Sequence, residues 1–445
     1  MIAPFNCCKR NKNLFLIVLL FLSQITFAQD FKFDFGTGKA AKGYTKVQSD
    51  NYYSNETGYG FLPGKKVKSV ERKTKNLLQA DYVTSDSSFF FSVNIPEGNY
   101  DVKMILGDAD GTSQTTVKVE CRRLMLENIQ TKSGEFVSPD FTVNLRSPQI
   151  SATEKIALKP RELNYLHWDD QLTFEFCGKE PKICGLEITK NTQAKTIFLA
   201  GNSTVVDQAY EPYAAWGQMI SRFFKPKSIV IANYAESGES LNSFVAEKRL
   251  NKVLSQMKAG DYLFIEFAHN DQKQKDLLPF VGYKALLEKF ISETRNRNGI
   301  PVLVTSMHRR NFDSTGHIIN TLGDFPEAAR QTATEQKVAL IDLNAMSKIL
   351  WEALGPEESK KAFVHYPANS FPGQDKEIID NTHFNNYGAY QLAKCIIEDI
   401  KKQDSELASY LLEGLPAYDP SHPDPIKDFY FPISPLVQVA KPDGN

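Results

Sequence analysis

The sequence predicts a two-domain protein, in which an all-β sandwich precedes a three-layer α/β/α domain built on a five-stranded parallel sheet. Its 445 residues are too many for one ordinary domain and sufficient for two. In the first part of the chain, short segments alternate apolar and polar residues with a period of two, as half-buried strands do. In the second part, continuous apolar runs alternate with amphipathic stretches, which is typical of parallel strands covered by helices on both faces.

The first 28 residues have the layout of a secretory signal peptide. Lys9, Arg10 and Lys12 form a basic start, the apolar run 14–22 follows, and Ala28 is a small residue at the expected cleavage site. The apolar run is too short to span a bilayer comfortably, and the later sequence offers no second candidate span. We therefore expect an exported protein, periplasmic or extracellular, whose mature chain begins at Gln29 and does not insert into the membrane.

Residues 29–190 are expected to form the β-sandwich. The period-two alternation is clearest in the segments 31–35, 89–93, 100–104 and 172–176. Clusters of Gly, Pro, Asn and Asp, such as 96–99 and 107–111, separate these segments and are typical of turns. Because many short strands follow one another without a long helical pattern, this part of the chain favours an all-β sandwich.

Residues 195–445 are expected to form the α/β domain, after a polar linker at 190–195. The expected strands are the apolar runs 196–200, 228–232, 262–267, 301–305 and 338–343. The expected helices include the amphipathic stretches 213–224, 245–258, 283–298 and 325–337. From Leu415 the chain is rich in proline and has no periodicity, which indicates an extended surface tail that packs through Phe429, Tyr430 and Phe431.

The overall charge and the cysteines limit which binding partners, disulfides and metal sites the sequence supports. A formal net charge of −1 gives no support to a nucleic-acid or membrane-surface binder. Four of the six cysteines follow the signal peptide, and the pair Cys177 and Cys184 flanks a short Gly/Lys/Pro segment. Either a disulfide between these two or four free, buried thiols fits the pattern. The sequence has no CxxC or HExxH motif, so a zinc site has little support, and the oligomeric state is not predicted.

Polar residues follow the first three apolar runs, where an open α/β sheet gathers its active site. Ser203 comes directly after the first run, Gly238 lies in the loop after the second, and Asn270 follows the third. We expect Ser203 on a strand-to-helix turn, close to the free N–H groups of a helix N-terminus, although serine is also an ordinary helix cap. Gly238 would allow its backbone N–H to approach a ligand closely, and the amide of Asn270 can donate a hydrogen bond.

Asp380 and His383 form the last candidate group. An Asp three residues before a His can bend back and accept a hydrogen bond from one ring nitrogen, which leaves the other nitrogen as a base. Taken alone, such a pair is also explained by helix capping and a surface histidine. In chain order, however, Ser203, Gly238, Asn270 and this pair supply every group that an acyl-transfer site needs.

This order of blocks resembles the SGNH hydrolase superfamily, also called GDSL esterases. The matching blocks are Gly201-Asn202-Ser203, Gly238, His269-Asn270-Asp271 and Asp380 with His383. The closer similarity is to rhamnogalacturonan acetylesterases of carbohydrate esterase family 12, in the segments 233–240, 268–273, 309–326 and 383–389. The N-terminal sandwich is similar to the galactose-binding-like modules that precede some of these esterases. Two positions depart from the family pattern, because Asn202 replaces the usual Asp and Ala268 replaces the usual Gly.

The resemblance implies a role for each residue. Ser203 would be the nucleophile, His383 the general base and Asp380 the group that orients it, while Ser203, Gly238 and Asn270 would form the oxyanion hole. No metal or organic cofactor is needed. The implied substrate is an O-acetylated plant polysaccharide, with rhamnogalacturonan I as the first choice. Xylan or another glycan remains an alternative substrate, and a non-catalytic carbohydrate-binding protein or an adhesion protein remains an alternative function.

Arg309 and Arg310 follow the fourth apolar run and are expected on the same rim of the sheet as Ser203. An arginine can hold a carboxylate with two hydrogen bonds, so we expect this pair to bind the galacturonate groups of the substrate. The alternative is a structural role, in which the two arginines shape the loop by pairing with Asp313, Asp324 or Glu327.

Overall fold

The computed structural model describes residue 1 and residues 30–64, 66–403 and 406–443. The expected signal peptide and its cleavage site lie outside these residues. Within the described part of the chain, no helix combines the length and the apolar character needed to cross a bilayer.

The N-terminal domain is a sandwich of two sheets, as predicted. Its strands in chain order are β1 (Phe31–Phe35), β2 (Thr45–Val47), β3 (Tyr59–Phe61), β4 (Lys68–Glu71), β5 (Asp81–Thr84), β6 (Phe89–Asn94), β7 (Gly98–Gly107), β8 (Ser113–Val119), β9 (Arg123–Thr131), β10 (Phe136–Val137), β11 (Asp140–Leu145), β12 (Gln171–Cys177) and β13 (Lys182–Lys190). One sheet has the order β10-β7-β13-β1-β2, with β11 on β7 and the pair β4 and β5 beside β13. The other has the order β3-β6-β12-β8-β9.

Alternation along β1 and β6 builds the core between the two sheets. Phe33 and Phe35 point to the same face because successive side chains of a strand point to opposite faces. Their rings meet Phe91 of the opposite sheet edge-on, with centroids 5.2 and 5.1 Å apart. Aromatic pairs in this orientation stabilise a core beyond the area that they bury.

Cys177 and Cys184 are free thiols that lie in different sheets of the sandwich. The Sγ atom of Cys177 lies 3.4 Å from the carbonyl oxygen of Thr116, and that of Cys184 lies 3.4 Å from the carbonyl oxygen of Gly107. Cys121 and Cys395 are also free and buried. Of the two alternatives left open by the sequence, the structure therefore shows four buried thiols.

The second domain contains the predicted five-stranded parallel sheet. Its strands are β14 (Lys195–Gly201), β15 (Ile229–Asn233), β16 (Tyr262–Glu266), β17 (Ile300–Val304) and β18 (Ala339–Ile341), in the order β15-β14-β16-β17-β18. The helices are α1 (Trp216–Met219), α2 (Leu241–Ala246), α3 (Arg249–Gln256), α4 (Lys284–Asn296), α5 (Phe325–Gln336), α6 (Leu343–Glu358) and α7 (Asn386–Lys402). An antiparallel hairpin of β19 (Phe363–Tyr366) and β20 (Ile378–Phe384) precedes α7.

The parallel sheet is buried on both faces, which makes the domain a three-layer α/β/α sandwich. Along β14, Ile197 and Leu199 pack into one hydrophobic cluster with α1, α6 and α7. Phe198, between them, packs into a second cluster with α2, α3, α4 and α5. Continuous apolar runs in the sequence thus correspond to strands with apolar neighbours on both sides.

Several elements differ from the expectation. The stretch 245–258 does not form one helix, because Lys248 has φ +64° and separates α2 from α3. The stretch 213–224 contains only the single α-helical turn α1 followed by the 3₁₀ helix Ile220–Phe223. The sequence patterns did not predict α6 or the hairpin of β19 and β20.

The proline-rich tail packs on the second domain and also on the sandwich, where Nζ of Lys118 donates to the carbonyl oxygen of Pro432. The ring of Phe429 meets that of Tyr387 edge-on, with centroids 5.5 Å apart, and Phe431 stacks parallel to Phe429 at 5.8 Å. Tyr430 is 40% exposed, so only two of the three expected aromatic anchors are in place. The carbonyl oxygen of Leu436 accepts a hydrogen bond from the backbone N–H of Glu211, 2.8 Å away, which directs the tail toward the turn that carries Ser203.

Candidate active site

Ser203, His383 and Asp380 form a continuous hydrogen-bonded chain. The Oγ atom of Ser203 lies 2.9 Å from Nε2 of His383. On the other side of the ring, Nδ1 of His383 lies 2.8 Å from Oδ2 of Asp380. All three side chains are buried. The arrangement links a hydroxyl, an imidazole and a carboxylate in the order that nucleophilic catalysis requires.

Ser203 lies on a tight turn that follows β14. The backbone N–H groups of Val205 and Val206 both donate to the carbonyl oxygen of Asn202, at 3.0 Å. The first helix begins only at Trp216, so the expectation of a helix N-terminus next to Ser203 is wrong. The residues between Ser203 and Trp216 include Asp207 and Glu211, which pair with arginines of the N-terminal domain.

Asp380 and His383 are held on strand β20, outside the parallel sheet. The Oδ1 atom of Asp380 accepts the backbone N–H groups of Thr382 at 2.8 Å and of His383 at 3.1 Å. Burial acts to raise the pKa of Asp380, but the hydrogen bonds from His383 and Thr382 outweigh it and hold that pKa below its ordinary value. The ring of Tyr213 packs edge-on against His383 at 5.8 Å and further fixes the imidazole.

The loop after β15 and the residues after β16 share one cleft, lined by Gly238 and Asn270. Gly238 has φ +82°, in the left-handed region that favours glycine. The Nδ2 atom of Asn270 donates to the carbonyl oxygen of Glu239 at 2.8 Å, so Asn270 braces the loop that carries Gly238. The N–H of Glu236 donates to the carbonyl oxygen of Gly201 at 3.2 Å, which joins this loop to the strand that leads to the turn of Ser203.

Asn202, one of the two departures from the family pattern, is fully buried. Its Oδ1 accepts hydrogen bonds from the N–H and Oγ1 of Thr204, at 3.0 and 2.8 Å. The same hydroxyl of Thr204 lies 2.9 Å from Oε2 of Glu266, a buried carboxyl whose pKa is raised by burial. An Asp at position 202 would place a second carboxylate close to Glu266, and the neutral amide of Asn202 avoids this. Its Nδ2 has no hydrogen-bond partner among the residues that the structure describes.

Arg309 and Arg310 lie beside the site but have different surroundings. Arg309 donates to the carbonyl oxygen of His269 at 3.4 Å and to Thr321. Arg310 donates to Ser359 and Asn381 and to the carbonyl oxygen of Pro356, and so braces the middle of β20. In the described part of the chain, neither forms an ion pair with Asp313, Asp324 or Glu327. Their role in binding substrate stays a prediction, and these contacts favour a bracing role for Arg310.

A group of buried charges that sequence reasoning missed fastens the two domains together next to Ser203. Arg123 donates from Nε and Nη2 to Oδ2 of Asp207, at 3.1 and 2.9 Å. Arg122 forms an ion pair with Glu211 at 2.7 Å, and Arg146 stands 3.6 Å from Asp207. The only sequence signal was the run Glu120-Cys121-Arg122-Arg123 after β8, which does not reveal acidic partners some 85 residues away.

One group within the described residues has the composition of a metal site. Ligand atoms of Glu162, His167 and Glu236 lie within 4.8 Å of one another, and all three side chains are buried. The two carboxylates, however, already pair with guanidinium groups, Glu162 with Arg249 and Glu236 with Arg161. A divalent cation would stand beside two positive charges, so the group does not fit a metal ion.

Two family models match the chain. Residues 199–389 match the GDSL-like Lipase/Acylhydrolase family, and residues 31–135 match the domain described as Beta-agarase/YXIM esterase-like, galactose-binding domain-like. The rhamnogalacturonan acetylesterase RhgT of Bacillus subtilis (strain 168) is 42% identical over 218 residues, which cover 48% of this chain and 94% of that relative. The chain belongs to the GDSL-like lipase/acylhydrolase family.

Two further relatives of this GDSL-family protein are, like RhgT, proteins of Bacillus subtilis (strain 168). The uncharacterized esterase YxiM is 25% identical over 384 residues, covering 84% of this chain and 91% of the relative. The probable rhamnogalacturonan acetylesterase YesY is 31% identical over 227 residues, covering 49% of this chain and 99% of the relative. Family membership confirms the resemblance drawn from the four sequence blocks and from the galactose-binding-like sandwich.

Proposed function

We propose that this GDSL-family protein is a serine esterase that removes O-acetyl groups from an acetylated plant polysaccharide, with rhamnogalacturonan I as the first choice. The observation that carries the proposal is the hydrogen-bonded chain from Ser203 through His383 to Asp380. Two relatives that the chain covers almost completely, at 42% and 31% identity, bear the names rhamnogalacturonan acetylesterase and probable rhamnogalacturonan acetylesterase. Their names support the substrate class.

In the proposed first step, the Oγ atom of Ser203 attacks the acetyl carbonyl carbon while Nε2 of His383 takes the hydroxyl proton. Asp380 accepts the hydrogen bond from Nδ1, which keeps Nε2 free to act as the base and stabilises the protonated ring. The tetrahedral intermediate then collapses: the bond to the sugar oxygen breaks, and His383 returns the proton to that oxygen. The products of this half-reaction are a free sugar hydroxyl and an acetyl-serine.

In the second step, water replaces the sugar. His383 takes a proton from the water as its oxygen attacks the acetyl-serine, and it then protonates Oγ of Ser203 as acetic acid leaves. The acid loses its second water-derived proton to solvent and becomes acetate. In both steps the negative oxygen would be held by the backbone N–H groups of Ser203 and Gly238 and by the amide of Asn270. Donors placed for this charge in advance act only in the transition state and typically contribute about 10²–10³ each in rate.

The test is the release of acetate from acetylated pectin fractions, acetylated xylan and p-nitrophenyl acetate. We expect Ser203→Ala to lower kcat on every substrate by about 10³ or more, with an unchanged circular dichroism spectrum. Ser133→Ala, an exposed serine in a turn of the sandwich, is the matched control and should behave as wild type. Wild-type rates for Ser203→Ala would refute the mechanism, while faster release from xylan than from pectin would move the substrate to xylan.

We also propose that the protein is exported, because the basic start and the apolar run 14–22 precede a small residue at position 28. Expression of the full chain in a bacterial host, followed by N-terminal sequencing of the secreted or periplasmic protein, tests this proposal. The expected first residue is Gln29. Recovery of uncleaved protein from the cytoplasm alone would contradict it.

A further inference from the structure

Three residues of the tail lie across the cleft of the proposed active site. The Nζ atom of Lys441 is 3.8 Å from Oδ2 of Asp380, the carboxylate that orients His383. Two residues later, Asp443 lies against Gly238, since a Cβ atom added to that glycine would be 3.1 Å from Cβ of Asp443. The tail thus contacts both the carboxylate of Asp380 and the loop of the proposed oxyanion hole.

The carboxylate of Asp443 binds Arg161, which belongs to the connection between β11 and β12 of the N-terminal domain. The inner edge of this guanidinium is fixed by the hydrolase domain. Its Nε and Nη2 donate to Oε1 of Glu236 at 3.1 and 2.8 Å, and Nη2 also donates to the carbonyl oxygen of Ser237 at 2.6 Å. The outer nitrogen, Nη1, faces the cleft, and among the described residues Asp443 is its one acceptor.

The surroundings of Arg161 fit a sugar. The same part of the cleft is lined by Gln208, Tyr165, Tyr210 and Tyr213. Aromatic faces with a few fixed polar groups are the usual lining of a small-molecule site. Tyr213 also packs against His383, so this lining is continuous with the hydrogen-bonded residues Ser203, His383 and Asp380.

We propose that Nη1 of Arg161 is a binding subsite for a carboxylate of an acidic, uronate-containing polysaccharide, and that Asp443 occupies this subsite in the place of the substrate. The inference rests on the proposed function and deepens it, because it names the group that recognises an acidic chain and assigns that group to the N-terminal domain. Substrate must then displace the tail. The side chains of Arg161 and Asp443 are 29% and 64% exposed, and ion pairs of this exposure are weak enough to exchange for a ligand.

The main test is Asp443→Asn, a substitution on the exposed tail that keeps the size of the side chain and removes its charge. Kinetics are measured on acetylated rhamnogalacturonan and on two neutral esters, glucose pentaacetate and p-nitrophenyl acetate. We expect the KM for the acidic polymer to fall about two- to five-fold with unchanged kcat, since an exposed ion pair contributes that much. Both neutral substrates should be unaffected. Asp428→Asn, an exposed carboxylate elsewhere on the tail, is the matched control and should change none of the three.

A double-mutant cycle tests whether Arg161 is the group involved. In an Arg161→Gln background, Asp443→Asn should no longer change the KM for the acidic polymer, whatever the activity of the background itself. An equal fall in KM on glucose pentaacetate would show that the tail acts as a steric lid and would overturn the subsite. A fall in KM on the acidic polymer that persists in the Arg161→Gln background would also overturn it, and so would an unchanged KM in Asp443→Asn. The proposed function is judged separately: if p-nitrophenyl acetate is hydrolysed by wild type and not by Ser203→Ala, the esterase stands even when the subsite fails.

Discussion

Asp207 is the residue whose substitution tests most directly how the two domains are joined. It lies four residues after Ser203, is fully buried, and is the shared counter-charge of Arg123 and Arg146 of the N-terminal domain. Its Oδ1 accepts a hydrogen bond from Nδ2 of Asn233 at 2.8 Å. Asp207→Asn keeps the shape of the side chain but leaves two guanidinium groups in the interior without their carboxylate.

The expected loss is large because the arginines have little other compensation. None of the three guanidinium nitrogens of Arg146 has a hydrogen-bond partner among the described residues. Apart from Asp207, this charge is stabilised by the ring faces of Trp168 and Tyr234, at 4.9 and 5.6 Å. Removal of one partner of a buried ion pair typically costs about 3–5 kcal/mol. A natural protein has a free energy of unfolding of only about 5–15 kcal/mol, so Asp207→Asn should be close to the limit of folding.

Urea denaturation followed by tryptophan fluorescence measures this loss. The matched control is Glu358→Gln, which removes a carboxylate from an exposed pair with Lys361, with side chains 57% and 56% exposed. That substitution should cost less than about 1 kcal/mol. A cost for Asp207→Asn no larger than that of the control would refute the view that buried charge pairs hold the turn of Ser203 to the sandwich.

Three further predictions concern the site itself. Asn270→Ala should lower kcat on p-nitrophenyl acetate by about 10²–10³ with little change in KM, because an oxyanion donor acts only in the transition state. Asn202→Asp should lower the melting temperature at pH 8 more than at pH 5, since it places a second carboxylate near the buried Glu266. Burial raises the pKa of Asp271 to about 7, so its ionisation destabilises the fold as pH rises from about 4 to about 7. Asp271→Asn should remove up to about 4 kcal/mol of that pH dependence, measured by urea unfolding across this range.

Each of these predictions has a clear contrary result. A higher KM at unchanged kcat would assign Asn270 to ground-state binding instead of the oxyanion. An Asn202→Asp protein that is equally stable and turns over faster would mean that the site keeps the capacity for the carboxylate usual in its family. If the free energy of unfolding of wild type and of Asp271→Asn depends on pH in the same way, the titration belongs to another buried carboxyl. Glu236 is the next candidate because its pKa is also raised to about 7.

Local sequence patterns sufficed to predict the two fold classes and to single out most residues of the candidate site. Period-two alternation and continuous apolar runs are local patterns, and they report which faces of a segment are buried whatever the rest of the chain does. Ser203, Gly238 and Asn270 were found because each follows an apolar run, and parallel strands bring their carboxyl ends to one edge of a sheet. The spacing of Asp380 and His383 is local as well, and it sufficed to predict the hydrogen bond between them.

Features that depend on contacts between distant residues became visible only in the folded molecule. The bond from Ser203 to His383 spans 180 residues, and His383 reaches it from a hairpin whose short strands carry a weak local pattern. In the non-helical chain after Ser203, Asp207 and Glu211 bind arginines of the other domain, and no local propensity records such partners. The contact of Asp443 with Arg161 spans 282 residues. Local patterns fix which face of a segment is buried, whereas partners across such separations are set by the packing of whole domains.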